Sequence, residues 1–490
     1  MTTYLIACAS SLVVSWLITL VVRNGARARG LVDDVGSSSR KIHTSAVPRL
    51  GGVAIVLGFY TPLLGLLLVD SGVGDTFKAN PNLISALIVG GIAISVLGIY
   101  DDLRGANAAK KLAVQTSVAV LLWALGIRID TVAQSVLGDV GLEVISLPLT
   151  VLWVVGIVNA LNLIDGLDGL AGGVAIFAAL TNFILAFGND DILMALLMSC
   201  LGGAVAGFLV FNFNPATIFM GDTGSMFLGF ALATASIRTS QKSSTALAIL
   251  VPVLALGLPI MDTLLTICRR ALRGRGLFSA DKDHIHHRMM TILSLSHRHA
   301  VFALYAVCCV FAAASLLLSF ATSEQSAIIL AVLCVTAVAF MRSLGYMRFA
   351  DTRSLAKTRH RNRQLRQYLK HTESMIRSAV DVRTIEAAIE PLAAIIGASS
   401  LRFIAAVPEP AADHVALSTA QLASRTVVRV VSCNRQIGYL ELEWNDARKE
   451  LDRDDELALE ALAVGVGREV ERLERERVSG DVRRSLRVAK

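Results

Sequence analysis

From Met1 to about Met341 the apolar positions fall into blocks, each bounded by short polar, glycine- or proline-containing segments. A helix needs about 20 apolar residues to cross a hydrocarbon core of about 30 Å, and most of the blocks approach that length. They predict helices at 3–22, 51–69, 82–99, 112–127, 147–163, 170–187, 192–211, 225–237, 245–267, 299–319 and 325–341. The first has no basic residue ahead of it and no small-residue cleavage signal behind it, so it reads as a retained helix.

Beyond the last block the pattern changes. Residues 342–380 are rich in Arg, Lys, Gln and Ser with helical character, as in a linker lying along an anionic membrane surface. An amphipathic helix at 384–397 follows, then strand-like runs at 401–407, 426–432 and 437–444, and a helix at 453–475. In the last run Leu440, Leu442 and Trp444 alternate with Tyr439, Glu441 and Glu443, the period of a half-buried strand. The expected fold class is therefore an all-α polytopic membrane protein of about eleven transmembrane helices with a small α/β C-terminal domain. Its parts are a membrane domain at 1–341, a basic helical linker at 342–380, an α/β domain at 381–476 and a basic tail at 477–490.

Composition agrees. Of 490 residues 54% are hydrophobic and only 17% charged, which excludes an ordinary soluble enzyme. The net charge of +7 does not point to nucleic acid, because the basic residues flank predicted spans or lie in the C-terminal segment. Arg23, Arg27, Arg29, Arg40, Lys41 and Arg49 follow the first span, Arg104, Lys110 and Lys111 the third, and Arg269, Arg270, Arg273, Arg275, Lys282 and Arg288 the ninth. Basic loops stay cytoplasmic, so the expected N-terminus is outside and the C-terminus inside. Seven cysteines without a CxxC pair predict neither a zinc site nor a disulfide framework.

Acids at the ends of membrane helices are functional candidates because they are costly there. Asp101 and Asp102 end the third span, Asn159, Asn162, Asp165 and Asp168 end the fifth in NALNLIDGLDGLAGG, and Asp222 lies in NFNPATIFMGDTGS. His284, His286 and His287 lie in DKDHIHHR after the ninth span. Adjacent carboxylates repel unless a cation sits between them, and a hard cation prefers oxygen ligands; two solvated helix-end acids are the plain alternative. The three-residue spacing of Asn162, Asp165 and Asp168 puts them on one helical face, against the alternative of a polar cap with a glycine stop. Asp222 also suits a turn acid accepting backbone hydrogen bonds. The histidines lack the thiolates that zinc favours and fit phosphate better. Lys41, His43, Arg49, Lys110 and Lys111 add the cations an anionic substrate needs. Acids, cations and glycine turns on one membrane face suit metal-assisted phosphoryl transfer.

The strings DD at 101–102, NALNLIDGLDGLAGG, FNFNPATIFMGDTGSMFLG and HIHH at 284–287 closely resemble the polyprenyl-phosphate N-acetylhexosamine-1-phosphate transferase superfamily, in order and spacing. RKIHTSAVPRLGG and DKDHIHH resemble its O-antigen and teichoic-acid priming branch; the phospho-MurNAc-pentapeptide branch carries an unbroken histidine triplet, which Ile285 interrupts here. The resemblance implies transfer of N-acetylhexosamine-1-phosphate from a UDP-sugar to undecaprenyl phosphate at the cytoplasmic face of a bacterial inner membrane, releasing UMP. Mg²⁺ is the implied cofactor, with Mn²⁺ as a substitute, and membrane lipids and a homodimer are the other implied partners. It makes Asp222, with Asp165, the metal ligand and Asp101 and Asp102 the catalytic pair. Asn162, Asp168, Lys111, Lys41, Arg49, His284, His286 and His287 become substrate-binding residues. Two mechanisms stay open, direct attack by the lipid phosphate and a covalent phospho-aspartate. The C-terminal IGYLELEWNDARKELDRDDELALEALAVGV faintly resembles the end of a GAF-type sensory domain. The rival readings are an ion-coupled transporter, which would set its acids near mid-span, and a catalytically silent membrane sensor.

Overall fold

Helices are the only way for a single apolar run to satisfy its own backbone in hydrocarbon, and each apolar block before Met341 is helical over most of its described residues, while 69 and 245–249 lie outside them. The computed structural model describes residues 1–30, 32–33, 47–68, 71–130, 142–241, 250–273, 284–346, 352–405, 425–432, 435–444 and 453–488. The chain divides into two compact units, one of Met1–Ile267 with Asp281–Arg348 and one of Cys268–Ala280 with Phe349–Lys490.

In the first unit the long helices are α1 (Thr2–Ala28), α2 (Gly52–Leu68), α3 (Gly91–Arg104), α4 (Ala108–Ala124), α5 (Leu142–Ile164), α6 (Leu170–Gly188), α7 (Ile192–Asn212) and α8 (Gly221–Gln241). They are followed by α9 (Gly257–Arg273), whose residues to Ile267 belong to this unit, the short α10 (Ile285–Ile292), α11 (His297–Phe320) and α12 (Ser323–Ser343). Helix α3 continues Pro81–Ser85 through a π turn at Ala86–Gly90 as one apolar span. The pair Val32–Asp33 and Val47–Pro48 is antiparallel.

Seven of the described helices are long and apolar enough to cross a membrane singly, and eight if the bent pair Gly52–Leu68 and Gly72–Lys78 forms one span. The sequence count of eleven is thus not reached on this measure, for physical reasons. Helix α4 has only 17 residues, α8 mixes Ser, Thr and Arg into its run, and the 245–267 block breaks between Leu250–Ala255 and α9.

Helix α8 lies at the centre, packing on α2, α3, α5 and α6 through the buried Met226, Phe227 and Phe230. Helix α1 turns Ala7, Ser11, Ser15 and Thr19 inward and runs along α7, where Gly203 and Gly207 admit its backbone. Small residues allow that approach in a membrane, where apolar burial gives no drive to associate. Helix α12 is peripheral, exposing Ile328, Val332 and Val335.

In the second unit α13 (Thr352–Arg377), α14 (Val382–Ile389), α15 (Leu392–Ile396) and α16 (Arg453–Val488) accompany a three-stranded antiparallel sheet. The sheet order is β1 (Ser400–Ala405), β3 (Arg435–Glu443), β2 (Arg425–Ser432). Leu440 faces Phe403 on one side and Val428 on the other, and Leu401, Leu440 and Leu442 bury against Leu459, Leu462 and Val466 of α16. The single helix expected at 384–397 is two, because Pro391 offers no N–H to continue the first. Arg361 of α13 pairs with the buried Asp455 of α16. Among the described residues Cys8, Cys200, Cys268, Cys308, Cys309 and Cys334 are free thiols, while Cys433 lies outside them.

Candidate active site

The start of α8 gathers the site. Its first residue, Gly221, has φ +72°, which glycine adopts without strain, and a Cβ there would lie 2.4 Å from the Arg49 carbonyl and 2.6 Å from Asp102 Oδ2. The chain at 48–52 runs beside 219–220, with Phe219 N–H donating to the Pro48 carbonyl (2.7 Å) and Gly52 N–H to that of Met220 (2.8 Å). The loop carrying Arg49 is therefore held against the loop carrying Asp222.

Asp101 and Asp102, at the end of α3, do different work. The Asp222 and Thr223 amides donate to Asp102 at 2.8 and 3.1 Å, and the Thr223 hydroxyl donates at 2.7 Å. Asp102 thus caps the open amides of α8 from another helix, at the end where the helix dipole favours an anion. Asp101 accepts from the Ala106 amide (2.5 Å) and pairs with Lys111 on the first turn of α4. Lys111 Nζ also donates to Asp222 Oδ2 at 2.5 Å, so one ammonium links two of the expected acids.

The NLIDGLDG turn closes the other side. Asn162 donates to Ser225 Oγ on α8 (3.0 Å) and, one turn earlier, Asn159 donates to Gln115 Oε1 of α4 (2.7 Å). Asp168, 5% exposed, accepts from the Asn214 side chain and the Ala216 amide, and so holds the loop that leads into α8. Arg298 at the start of α11 braces the same loop through the Asn214 carbonyl (3.2 Å). For Asp165, burial and then the negative charge of Asp222, Asp102 and Asp168 push the carboxyl up to about 8.

Of the histidines, His284 meets Asp262 of α9 through Nδ1 at 2.9 Å, and the Ile285 amide donates to the other Asp262 oxygen at 2.8 Å. His286 stacks on His284 with ring centroids 5.6 Å apart and planes 4° from parallel, and the His287 ring, tilted 45° to it, lies 4.3 Å away between centroids. Burial, then the charge of His287, lowers the His286 imidazole to about 3, so it is neutral at physiological pH. A Cβ on Gly166 would lie 2.6 Å from His286 Nε2, which places the histidine helix against the DGLDG turn. Lys41 and His43 lie outside the described residues.

Sequence reasoning missed Asp262, Arg298 and Thr223. Asp262 had a signal, since it is a lone acid in an apolar run; Arg298 and Thr223 had none.

Among the described residues no three His, Cys, Asp or Glu side chains form a closed metal-ligand group. Asp165 nonetheless lies within electrostatic reach of Asp222, Asp102 and Asp168, so carboxylates are grouped there. That donor set fits Mg²⁺, which takes one or two carboxylates and leaves its other positions to water and substrate phosphate.

Fold and site together define a polytopic membrane protein in which acids, one lysine and stacked imidazoles gather at the ends of several helices. Residues 84–240 match the model of glycosyl transferase family 4. The chain is 37% identical over 331 residues to a protein of Bacillus subtilis (strain 168) described as a probable undecaprenyl-phosphate N-acetylglucosaminyl 1-phosphate transferase, covering 67% of this chain and 89% of the relative. It is 33% identical over 347 residues to the decaprenyl-phosphate N-acetylglucosaminephosphotransferase of Mycolicibacterium smegmatis, covering 66% and 82%. With the phospho-N-acetylmuramoyl-pentapeptide-transferase of Shouchella clausii identity falls to 29% over 261 residues, 50% of this chain and 76% of that one. The chain belongs to glycosyl transferase family 4.

Proposed function

We propose that this protein transfers N-acetylglucosamine-1-phosphate from UDP-GlcNAc to a polyprenyl phosphate, with Mg²⁺, on the cytoplasmic face of the membrane. The observation that carries the reading is the convergence of Asp101, Lys111, Asn162 and Asp222 from four separate segments on the start of one central helix. An ion-coupled transporter would keep its acids near mid-span, and these lie at helix ends. The expected orientation, N-terminus outside and C-terminus inside, follows from the basic loops.

Asp222 and Asp165 would hold the metal, which when bound supplies charge neutralisation between two anionic substrates. Lys111 balances Asp101 and Asp222 and is placed to exchange one carboxylate for a substrate phosphate. Asp101 orients the acceptor. A phosphate monoester has a second pKa near 6, so the lipid phosphate is largely a dianion at neutral pH and needs little help from a base. One of its oxygens attacks the sugar-linked phosphorus of the donor, the bond from that phosphorus to the bridging oxygen breaks, and UMP leaves with the electron pair. Arg49, Lys41 and the histidines hold the donor pyrophosphate, and Asp102 and Asp168 hold the loops. We further read the second unit as a GAF-like regulatory module.

Purified protein supplied with undecaprenyl phosphate, Mg²⁺ and UDP-GlcNAc should release UMP, with UDP-GalNAc, UDP-QuiNAc and UDP-FucNAc as competing donors. No UMP from any donor refutes the reading. Direct attack requires sequential kinetics and no phosphoprotein when lipid is withheld; a stoichiometric phospho-aspartate, with UMP released before lipid binds, establishes the double displacement instead.

A further inference from the structure

We infer that Asp262 is a positioning residue of the donor site, acting through His284, and the inference rests on the transferase reading above. Asp262 is 2% exposed on α9, in an apolar surrounding where an acid is costly unless its oxygens are engaged. Both are engaged on the histidine segment. Oδ2 faces His284 Nδ1 at 2.9 Å and Oδ1 accepts the Ile285 amide at 2.8 Å.

The two contacts do separate things. The bond to Ile285 satisfies an open amide at the start of α10 and fixes where that helix begins. The bond to His284 requires a proton on Nδ1, because a carboxylate only accepts, and so leaves Nε2 as the ring's remaining functional atom. This is the arrangement by which a buried carboxylate sets the tautomer and orientation of a working imidazole.

The effect is passed on by stacking. His286 lies parallel on His284, is 2% exposed, and its Nε2 has no hydrogen-bond partner among the described residues. That atom is at the position a Gly166 Cβ would crowd, between Asp165 and Leu167 of the acid turn. Turning His284 would therefore move His286 relative to the turn, and Asp262, at 2.9 Å from Nδ1, is the stronger restraint on that turning, with Thr266 Oγ1 at 3.5 Å from the same nitrogen. Nothing else about Asp262 suggests contact with substrate, since both oxygens point to α10.

The test is a double-mutant cycle on the full-length enzyme, with separate KM and kcat values for UDP-GlcNAc and undecaprenyl phosphate. Asp262→Asn preserves size and an acceptor for the Ile285 amide but presents an N–H to His284 Nδ1, forcing the other tautomer. It should lower kcat/KM for the nucleotide sugar by about 10–100-fold, the usual loss when the partner of a working imidazole is removed. The lipid KM should stay within about two-fold, since the contact concerns donor geometry alone. In a His284→Gln background the same substitution should cost almost nothing, because its route of action is gone. Equal losses in both backgrounds, an unchanged donor kcat/KM, or an Asp262→Asn protein that fails to insert while His284→Gln inserts would each overturn the inference, the last by showing that Asp262 serves folding. A wild-type protein that releases no UMP would refute the transferase reading itself, a separate result.

Discussion

At the scale of single residues, the paired aspartates divide their labour. Asp102 accepts three hydrogen bonds from the start of α8, and Asp101 reaches Lys111. Replacing Asp102 with Ala leaves the Asp222 and Thr223 amides without their acceptor, and such bonds to charged groups are worth about 1.5–3 kcal/mol each. Asp102→Ala should therefore lower the thermal midpoint in detergent as well as activity, while Asp101→Asn should lower activity at a nearly unchanged midpoint. Equal midpoints for the two variants would show that the cap contributes nothing. On the proposed assignment of Asp222 as a metal ligand, Asp222→Asn should abolish transfer and weaken Mg²⁺ dependence with expression intact; near wild-type turnover would refute the assignment. The motif strings made these residues legible, but not their division of labour. DD at 101–102 reads as a symmetric pair, and only α8, over a hundred residues later in the chain, distinguishes one acid from the other.

At the scale of elements, contacts between segments decide what periodicity cannot. Every apolar block was legible as a helix, and the alternation around Leu440 as a strand. The break at Leu256 inside the 245–267 block left no trace in hydropathy, because an apolar run looks the same whether it continues or is interrupted. Asp262 was visible only as an oddity, since its partners His284 and Ile285 lie beyond a loop and no helical spacing relates them. The meeting of α10 with the acid turn gives a direct test. Gly166→Ala inserts a methyl 2.6 Å from His286 Nε2 and 2.9 Å from its Cε1, and the buried ring has little room to yield. The variant should insert normally and raise the donor KM, since misplacing a positioned group by about 1 Å can cost up to about 100-fold. An unchanged donor KM would mean that α10 and the turn do not cooperate in binding.

At the scale of the whole molecule, the question is what the second unit contributes. The residues assigned to chemistry all precede Met341, and each membrane helix satisfies its backbone internally without residues beyond Arg348. The second unit has its own core, with Ile385, Leu392, Leu440, Leu459 and Val466 buried together. Removal of everything after residue 350 should leave an inserted, monodisperse enzyme that still releases UMP, because the acid cluster and the Asp262 contact both belong to the first unit. Any change should be in donor KM, with kcat kept within a few-fold. Steady-state kinetics on the truncated and full-length proteins in the same detergent separate the outcomes. An inserted, monodisperse truncated protein without measurable transfer would show that the second unit completes the active site, and the boundary between catalysis and regulation would then lie beyond residue 350.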